Sequence, residues 1–498
     1  MNFIHSKTCQ PQKTGMTKFL HQTLSALVFA SFAISAHASS GGKITLTRPA
    51  VEIAPAAGTP MSATVMPLKA NGYVEEEYFL RGKANRYRIA DPLQDAQLID
   101  TGHPYVTRAL VRRPANPAKF NGTVIVEWLN VTLDQDIDFV FGATRELLVR
   151  EGYAWVGVSA QHNGIAAMKK WNPQRYDALN VSASNIDPVK GGEIDPADPQ
   201  IMAKGGDVLA WDIFSQVGKL VREGDAKLMG GMKVRKLIAA SESQSTLKVS
   251  TYYNSIQPLH HVYDGFLFYD RSGKLRTDVG TKSIAIGTEI FTALMGQAPQ
   301  DDTEHQRWWE VNGATHFSLD EIQNYVDPML VRDATFRAAD GKALSLSDLT
   351  RRNGPCNPES IYSRVPNGDI MKAALKSLNT WIAGGPAPAT APRFVVDAQN
   401  KYVRDANGQI LGGIRTAAQD APMSTNAGIG NGPWFCGPSG SHVDFTPAEL
   451  CQRYGSPAAY VARVQAIVNA NVRNRVLLPE EAQKTVDEAK ALSFSCAN

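Results

Sequence analysis

Ser241-Glu242-Ser243-Gln244-Ser245 is where this sequence concentrates residues able to do chemistry. The short apolar run Leu237-Ile238-Ala239-Ala240 precedes it, and residues 246–253 after it read as a helix. A serine at the switch from buried strand to helix, with small residues two places to either side, is pushed out of the sheet top, where it can attack a bound carbonyl. Of the three serines, Ser245 has the bulky Leu247 two places on, and Ser241 belongs with the end of the strand. Ser243 has a small residue on both sides and falls at the switch itself. The pattern alone is degenerate, since a serine-rich helix N-cap has the same composition.

A serine hydroxyl is a weak nucleophile until a base takes its proton. Base and acid are expected on loops after later strands. Downstream lie His260, His261, His305, His316 and His442. His316 alone follows a strand-like run within a small, flexible loop, Asn312-Gly313-Ala314-Thr315-His316-Phe317. The acid is expected at Glu289, in Gly287-Thr288-Glu289 after the run Ser283-Ile284-Ala285-Ile286, with Asp301 and Asp302 as competitors in a more polar stretch. A carboxylate there would hold the imidazole in one tautomer and stabilise the imidazolium. The oxyanion donors are expected to be the backbone N–H of Gln244 and one from Leu129 or Asn130, directly after the run 123–128.

These residues need a frame. Strand-like runs at 123–128, 153–158, 234–240, 265–269, 283–286 and 308–311 alternate with helical ones at 145–151 and 211–222. That alternation predicts an α/β fold with a mostly parallel, buried sheet and helices on both faces. Residues 39–104 read as an N-terminal extended or β segment, 105–320 as the core, and 321–498 as an extension packing on it. Within the core, residues 162–206 are polar and rich in Pro and Gly, and read as a loop-rich excursion over the site. The extension is expected to hold a helix at 370–382, a hairpin at 393–404 with Asn407-Gly408 as a further turn, and a closing helical pair at 457–492.

Residues 1–38 read as a signal peptide. Lys7, Lys13 and Lys18 make a basic n-region, residues 24–35 an apolar core too short to span a bilayer, and Ala36-His37-Ala38 a cleavage signature. The protein is thus expected to be exported, periplasmic or secreted. The three lysines account for the formal charge of +3; without them 48 basic residues balance 48 acidic ones. Nothing in that balance favours nucleic acid as a partner. After Cys9 leaves with the signal, Cys356, Cys436, Cys451 and Cys496 remain, an even set that fits two disulfides in one of three connectivities. No zinc spacing, His-Glu-x-x-His, phosphate loop or dinucleotide fingerprint is present, so no metal or cofactor is expected. Asp134, Asp136 and Asp138 lack the glycine and terminal glutamate of a calcium loop and read as a solvated acidic loop.

Several stretches together resemble a bacterial family of exported α/β-hydrolase-domain proteins, carboxylesterase-like. They are Gly72-Tyr73-Val74-Glu75-Glu76-Glu77-Tyr78-Phe79-Leu80, Ala84-Asn85-Arg86-Tyr87, Gly122-Thr123-Val124-Ile125-Val126-Glu127-Trp128-Leu129-Asn130-Val131, Gly152-Tyr153-Ala154-Trp155-Val156-Gly157-Val158-Ser159-Ala160-Gln161, Trp211-Asp212-Ile213-Phe214-Ser215-Gln216 and Gly412-Gly413-Ile414-Arg415-Thr416. The resemblance implies an α/β-hydrolase fold and a serine hydrolase that cleaves small-molecule carboxylic esters through an acyl-enzyme. Against the family's Gly-Glu-Ser-Gln-Ser-Ala pattern its nucleophile maps to Ser243. Ser241 stands where the family has glycine, and Thr246 where it has alanine. Thr288-Glu289 resembles the family's acid loop, and Glu310-Val311-Asn312-Gly313-Ala314-Thr315-His316 its histidine loop. Cys356 and Cys436 resemble common family positions, which implies the pairing 356–436 and 451–496. The alternatives are an amide or peptide hydrolase with the same triad, and a hydrolase-like binding protein impaired at the altered elbow.

Overall fold

The computed structural model describes residues 44–199, 204–271, 273–294, 300–399, 401–406, 408–433 and 435–496. The expected signal peptide with Cys9, and the turn residue Asn407, lie outside them.

Nine strands form one sheet in the order β1-β2-β3-β5-β4-β6-β7-β8-β9. They are β1 (Ala50–Ile53), β2 (Tyr73–Arg88), β3 (Gln97–Pro114), β4 (Thr123–Trp128), β5 (Ala154–Val158), β6 (Lys236–Glu242), β7 (Gly265–Tyr269), β8 (Lys282–Gly287) and β9 (Gln306–Glu310). The first three strands and the β3–β5 pair run antiparallel, and every pair from β5 to β9 is parallel. The six later strands lie close to the runs expected from the sequence. The two longest, β2 and β3, belong to the same sheet, so residue 104 falls inside β3 rather than between segments.

The parallel strands are buried on both faces, and alternate residues feed two cores. Val124, Val126, Ala239, Phe266 and Phe268 point into one; Ile125, Ile238, Ala240, Leu267 and Ile286 point into the other. Helix α1 (Phe139–Arg150) and helix α2 (Ala210–Arg222) cover opposite faces. Helix α3 (Gln244–Thr251) follows β6 directly and continues through a π-helical turn, Tyr252–Ile256. Since β4 leads to β5 on one side while β6 lies on its other side, the carboxyl ends of β4 and β6 open a crevice at a switch in strand order, where ligands of such sheets bind.

Three expectations need correction. Part of the excursion is helical, at His162–Trp171. The 393–411 region forms isolated bridges, Val396 with Tyr402 and Arg404 with Ile410, rather than full strands. Asp136 and Asp138 are not solvated: both are about 1% exposed and bind the buried guanidiniums of Arg108 and Arg112 from β3. An unpaired buried charge is costly, so each acid has its cation beside it. In the extension, α4 (Asn367–Ile382) packs on the sheet, and α5 (Pro457–Arg473) and α6 (Pro479–Ala491) share a separate small core. The disulfides are Cys356–Cys436 and Cys451–Cys496. Among the described residues no helix is long and apolar enough to cross a membrane.

Candidate active site

β6 ends at Glu242 and α3 begins at Gln244, so Ser243 alone makes the turn. Its φ of 61° and ψ of −128° lie where a non-glycine residue stays only under constraint. The constraint is a set of hydrogen bonds. Ser243 N–H donates to the Tyr269 carbonyl at 3.0 Å, and the Ser243 carbonyl accepts from the Thr246 N–H at 2.8 Å and hydroxyl at 2.6 Å. The same hydroxyl lies 3.1 Å from the Asp270 carbonyl, so Thr246 ties the elbow to the next loop. Ser245 is fully buried, its hydroxyl donating to the Glu242 carbonyl at 2.8 Å. Ser241 is a strand residue paired with Phe268 and keeps a negative φ. Glycine's freedom is therefore not needed at that position.

His316 is brought to Ser243, with Nε2 2.8 Å from Oγ. The loop that carries it leaves β9 and is held by the His316 N–H donating to the Pro438 carbonyl at 3.0 Å. The Phe291 ring stacks on the imidazole with centroids 4.4 Å apart, and Phe317 packs at 4.6 Å. The partner on the far side of the ring is Asp270, whose Oδ2 lies 2.6 Å from Nδ1. Asp270 directly follows β7, at φ 52°, a left-handed conformation that aspartate tolerates better than most residues. It is fully buried and takes two hydrogen bonds from Thr288, N–H to Oδ1 and hydroxyl to Oδ2, each 2.7 Å.

Glu289, the expected acid, sits one strand further along and does not touch the imidazole. Its Oε1 accepts the Gly313 N–H at 2.9 Å, and its Oε2 lies 3.2 Å from the Arg404 guanidinium. Burial pushes its carboxyl up from the ordinary range, and Arg404 opposes that. Glu289 thus braces the start of the histidine loop, while Thr288 beside it holds Asp270. A sequence signal for Asp270 did exist: an aspartate immediately after the apolar run 265–269.

The expected oxyanion donors divide. Gln244 N–H is the first of a helix, where no intrahelical acceptor exists. Asn130 N–H donates to the Ile137 carbonyl at 3.0 Å, and Leu129 N–H faces the Val158 carbonyl of the neighbouring strand at 3.4 Å, so both point at fixed backbone acceptors. Asn130 works through its side chain, donating to the Glu242 carbonyl at 2.9 Å and so fixing this loop against the elbow. The next N–H, Val131, faces the Gln244 side chain, with its Oε1 at a loose 3.4 Å.

The excursion is anchored to α3. Lys248 is 2.8 Å from Asp195 and 3.6 Å from Asp207. Asp207 also accepts from the His162 ring at 2.8 Å, a hydrogen bond that raises the imidazole's pKa. A cavity of about 600 Å³ lies elsewhere, lined by Ser318, Lys372, Met423, Tyr460, Lys484 and Phe494 among others, and by none of Ser243, Asp270 or Gln244.

A sequence profile described as an alpha/beta hydrolase domain matches residues 46–487. No curated protein matches the chain. Among solved structures, esterase Est22 with p-nitrophenol is 10% identical, covering 44% of this chain and 64% of its own, with a TM-score of 0.24. A thermostable esterase from Pseudomonas putida ECU1011 is 12% identical over 45% of this chain and 66% of its own, with a TM-score of 0.25. A fungal esterase from Rhizomucor miehei is 9% identical over 44% and 66%, with a TM-score of 0.24. The match thus spans just under two thirds of these proteins' own lengths.

Proposed function

The chain belongs to the alpha/beta hydrolase domain family, and from that premise we propose that it is a serine esterase working by acyl transfer on small-molecule carboxylic esters. The observation that carries this reading is the unbroken relay from Ser243 Oγ through the His316 ring to Asp270 Oδ2, at 2.8 and 2.6 Å. His316 Nε2 takes the hydroxyl proton as Ser243 Oγ attacks the ester carbonyl. Asp270 keeps the Nδ1–H tautomer and stabilises the imidazolium without itself taking the proton. The oxyanion is held by the N–H groups of Gln244 and Val131, the latter released as the loose Gln244 side-chain contact gives way. His316 then protonates the leaving alkoxide, and water repeats the sequence in reverse to free Ser243.

Two features support the setting. The positive φ of Ser243 is the strain expected of a hydroxyl held proud of a sheet. Two disulfides fit an exported protein in an oxidising compartment. The negative φ of Ser241 removes the motive for an impaired binding protein.

The reading is tested with a fluorophosphonate probe and p-nitrophenyl acetate. Ser243 should be the labelled residue by peptide mass spectrometry, and Ser243→Ala should lose both labelling and turnover. Full turnover by Ser243→Ala, or no labelling of the folded protein, would reject it.

A further inference from the structure

The run Gly265-Phe266-Leu267-Phe268-Tyr269 fills β7 with apolar side chains and ends on one that carries a hydroxyl. Strand alternation sends Phe266 and Phe268 to one core and Leu267 and Tyr269 to the other. Tyr269 is about 1% exposed, and a phenol buried that deeply needs partners. Its hydroxyl donates to the Thr315 carbonyl at 3.2 Å and accepts from the Asn367 side-chain amide. Asn367 is the first residue of α4 and equally buried, and its amide also donates to the Thr315 carbonyl, at 2.9 Å.

These contacts meet at peptide bonds that belong to the triad. The Thr315 carbonyl shares a planar peptide with the His316 N–H, which donates to the Pro438 carbonyl at 3.0 Å. That unit is therefore held at both ends, by Tyr269 and Asn367 on one side and by Pro438 on the other. The Tyr269 carbonyl shares its own peptide with the Asp270 N–H. It accepts the Ser243 N–H at 3.0 Å, while the Asp270 N–H donates to the Ile286 carbonyl at 2.8 Å. One residue thus reaches all three members: Ser243 through its carbonyl, Asp270 through the peptide bond and His316 through its hydroxyl. Asn367 Oδ1 has no hydrogen-bond partner among the described residues. An orphaned buried acceptor is destabilising, so stability alone does not account for an amide at this position.

We infer that Tyr269, buttressed by Asn367, is a positioning residue that fixes the His316 imidazole relative to Ser243 and Asp270. Neither side chain touches the reacting atoms; both act through the backbone of the histidine loop. Asn367 stands in the 321–498 extension, so the extension supplies part of the frame on which the triad is built. Loss of the Tyr269 hydroxyl leaves the ring packed but loosens the Thr315–His316 peptide. The 2.8 and 2.6 Å contacts of the imidazole then lengthen together, and catalysis is steep in such displacements. The inference rests on the esterase reading for the reaction that slows, but not for the geometry of the imidazole.

The test uses Tyr269→Phe, which removes one oxygen and keeps the ring, with Asn367→Ala as the second variant. With p-nitrophenyl acetate, well below each variant's Tm, Tyr269→Phe should lower kcat about tenfold or more while KM stays within about threefold. Asn367→Ala should do the same. The double variant should lose less than the product of the two costs, since both side chains act on one carbonyl. Wild-type kcat in both folded single variants, or a cost confined to Tm or KM, would overturn the inference. Costs that multiply in full would overturn the shared action. A second readout needs no turnover. In Ser243→Ala, the low-field proton resonance of the His316 Nδ1–H against Asp270 should be sharp, and adding Tyr269→Phe should broaden it or move it upfield. An unchanged resonance would also overturn the inference. A changed resonance without ester turnover by the wild type would uphold the positioning role and reject the esterase reading.

Discussion

Asp270 Oδ2 lies 2.6 Å from His316 Nδ1, and Asp270 belongs to the loop after β7, one strand before the loop that carries Glu289. The two acids therefore do different work: Asp270 faces the imidazole, and Glu289 braces Gly313 in the loop that presents it. Asp270→Asn should leave the fold intact and lower kcat by about 10⁴-fold, since the amide favours the wrong tautomer. Glu289→Gln keeps an acceptor for Gly313 and should cost less than about tenfold. Comparing the two with one ester substrate decides between the acids; the reverse ranking would return the role to Glu289.

How far this was legible in the sequence follows from the same pair. The elbow could be read because the apolar run Leu237-Ile238-Ala239-Ala240 of β6 leads straight into it, and His316 because it lies in a glycine-containing loop after a strand. Which acid reaches the imidazole depends on loop direction. That is set here by the left-handed turn at Asp270 and by the Arg404 that claims Glu289, neither visible as a local pattern. The long strands β2 and β3 were obscured for another reason. Glu75, Glu77, Arg108 and Arg112 look like surface charges, yet both arginines are fully buried and pair across the strands with those acids. Composition cannot tell a buried ion pair from two solvated residues.

The oxyanion donors give a second prediction. Val131→Pro removes the proposed N–H and should lower kcat by about 10²-fold or more with little change in KM, the usual effect of deleting one such donor. Gln244→Ala clears the side-chain oxygen that faces Val131 while keeping the Gln244 backbone N–H, and should keep kcat within about threefold. Steady-state kinetics on both variants checks the assignment. A Val131→Pro enzyme that folds by circular dichroism and retains wild-type kcat would exclude Val131.

At the elbow, restoring the family's residue should bring no benefit. Ser241 keeps a negative φ inside β6, so Ser241→Gly relieves no strain and adds backbone freedom to the unfolded chain. The expected result is unchanged kcat with stability lowered by roughly 0.5–1 kcal/mol. A rise in kcat of tenfold or more would mean that the serine does distort the turn.

The disulfides should separate stability from catalysis. Each closes a long loop, with separations of 80 and 45 residues, and chain-entropy arguments assign each roughly 4 kcal/mol against the unfolded state. Their surroundings differ. Cys436 begins the short helix Cys436–Ser439, and the Pro438 carbonyl within it accepts the His316 N–H, so the 356–436 bridge supports the histidine loop. Cys451 and Cys496 pack instead against the small core shared by α5 and α6. Replacing either pair with serines should lower the Tm, but only Cys356→Ser with Cys436→Ser should also lower kcat, measured well below its own Tm. Equal kcat in the two double variants would show that the bridge beneath the histidine loop adds stability without positioning the base.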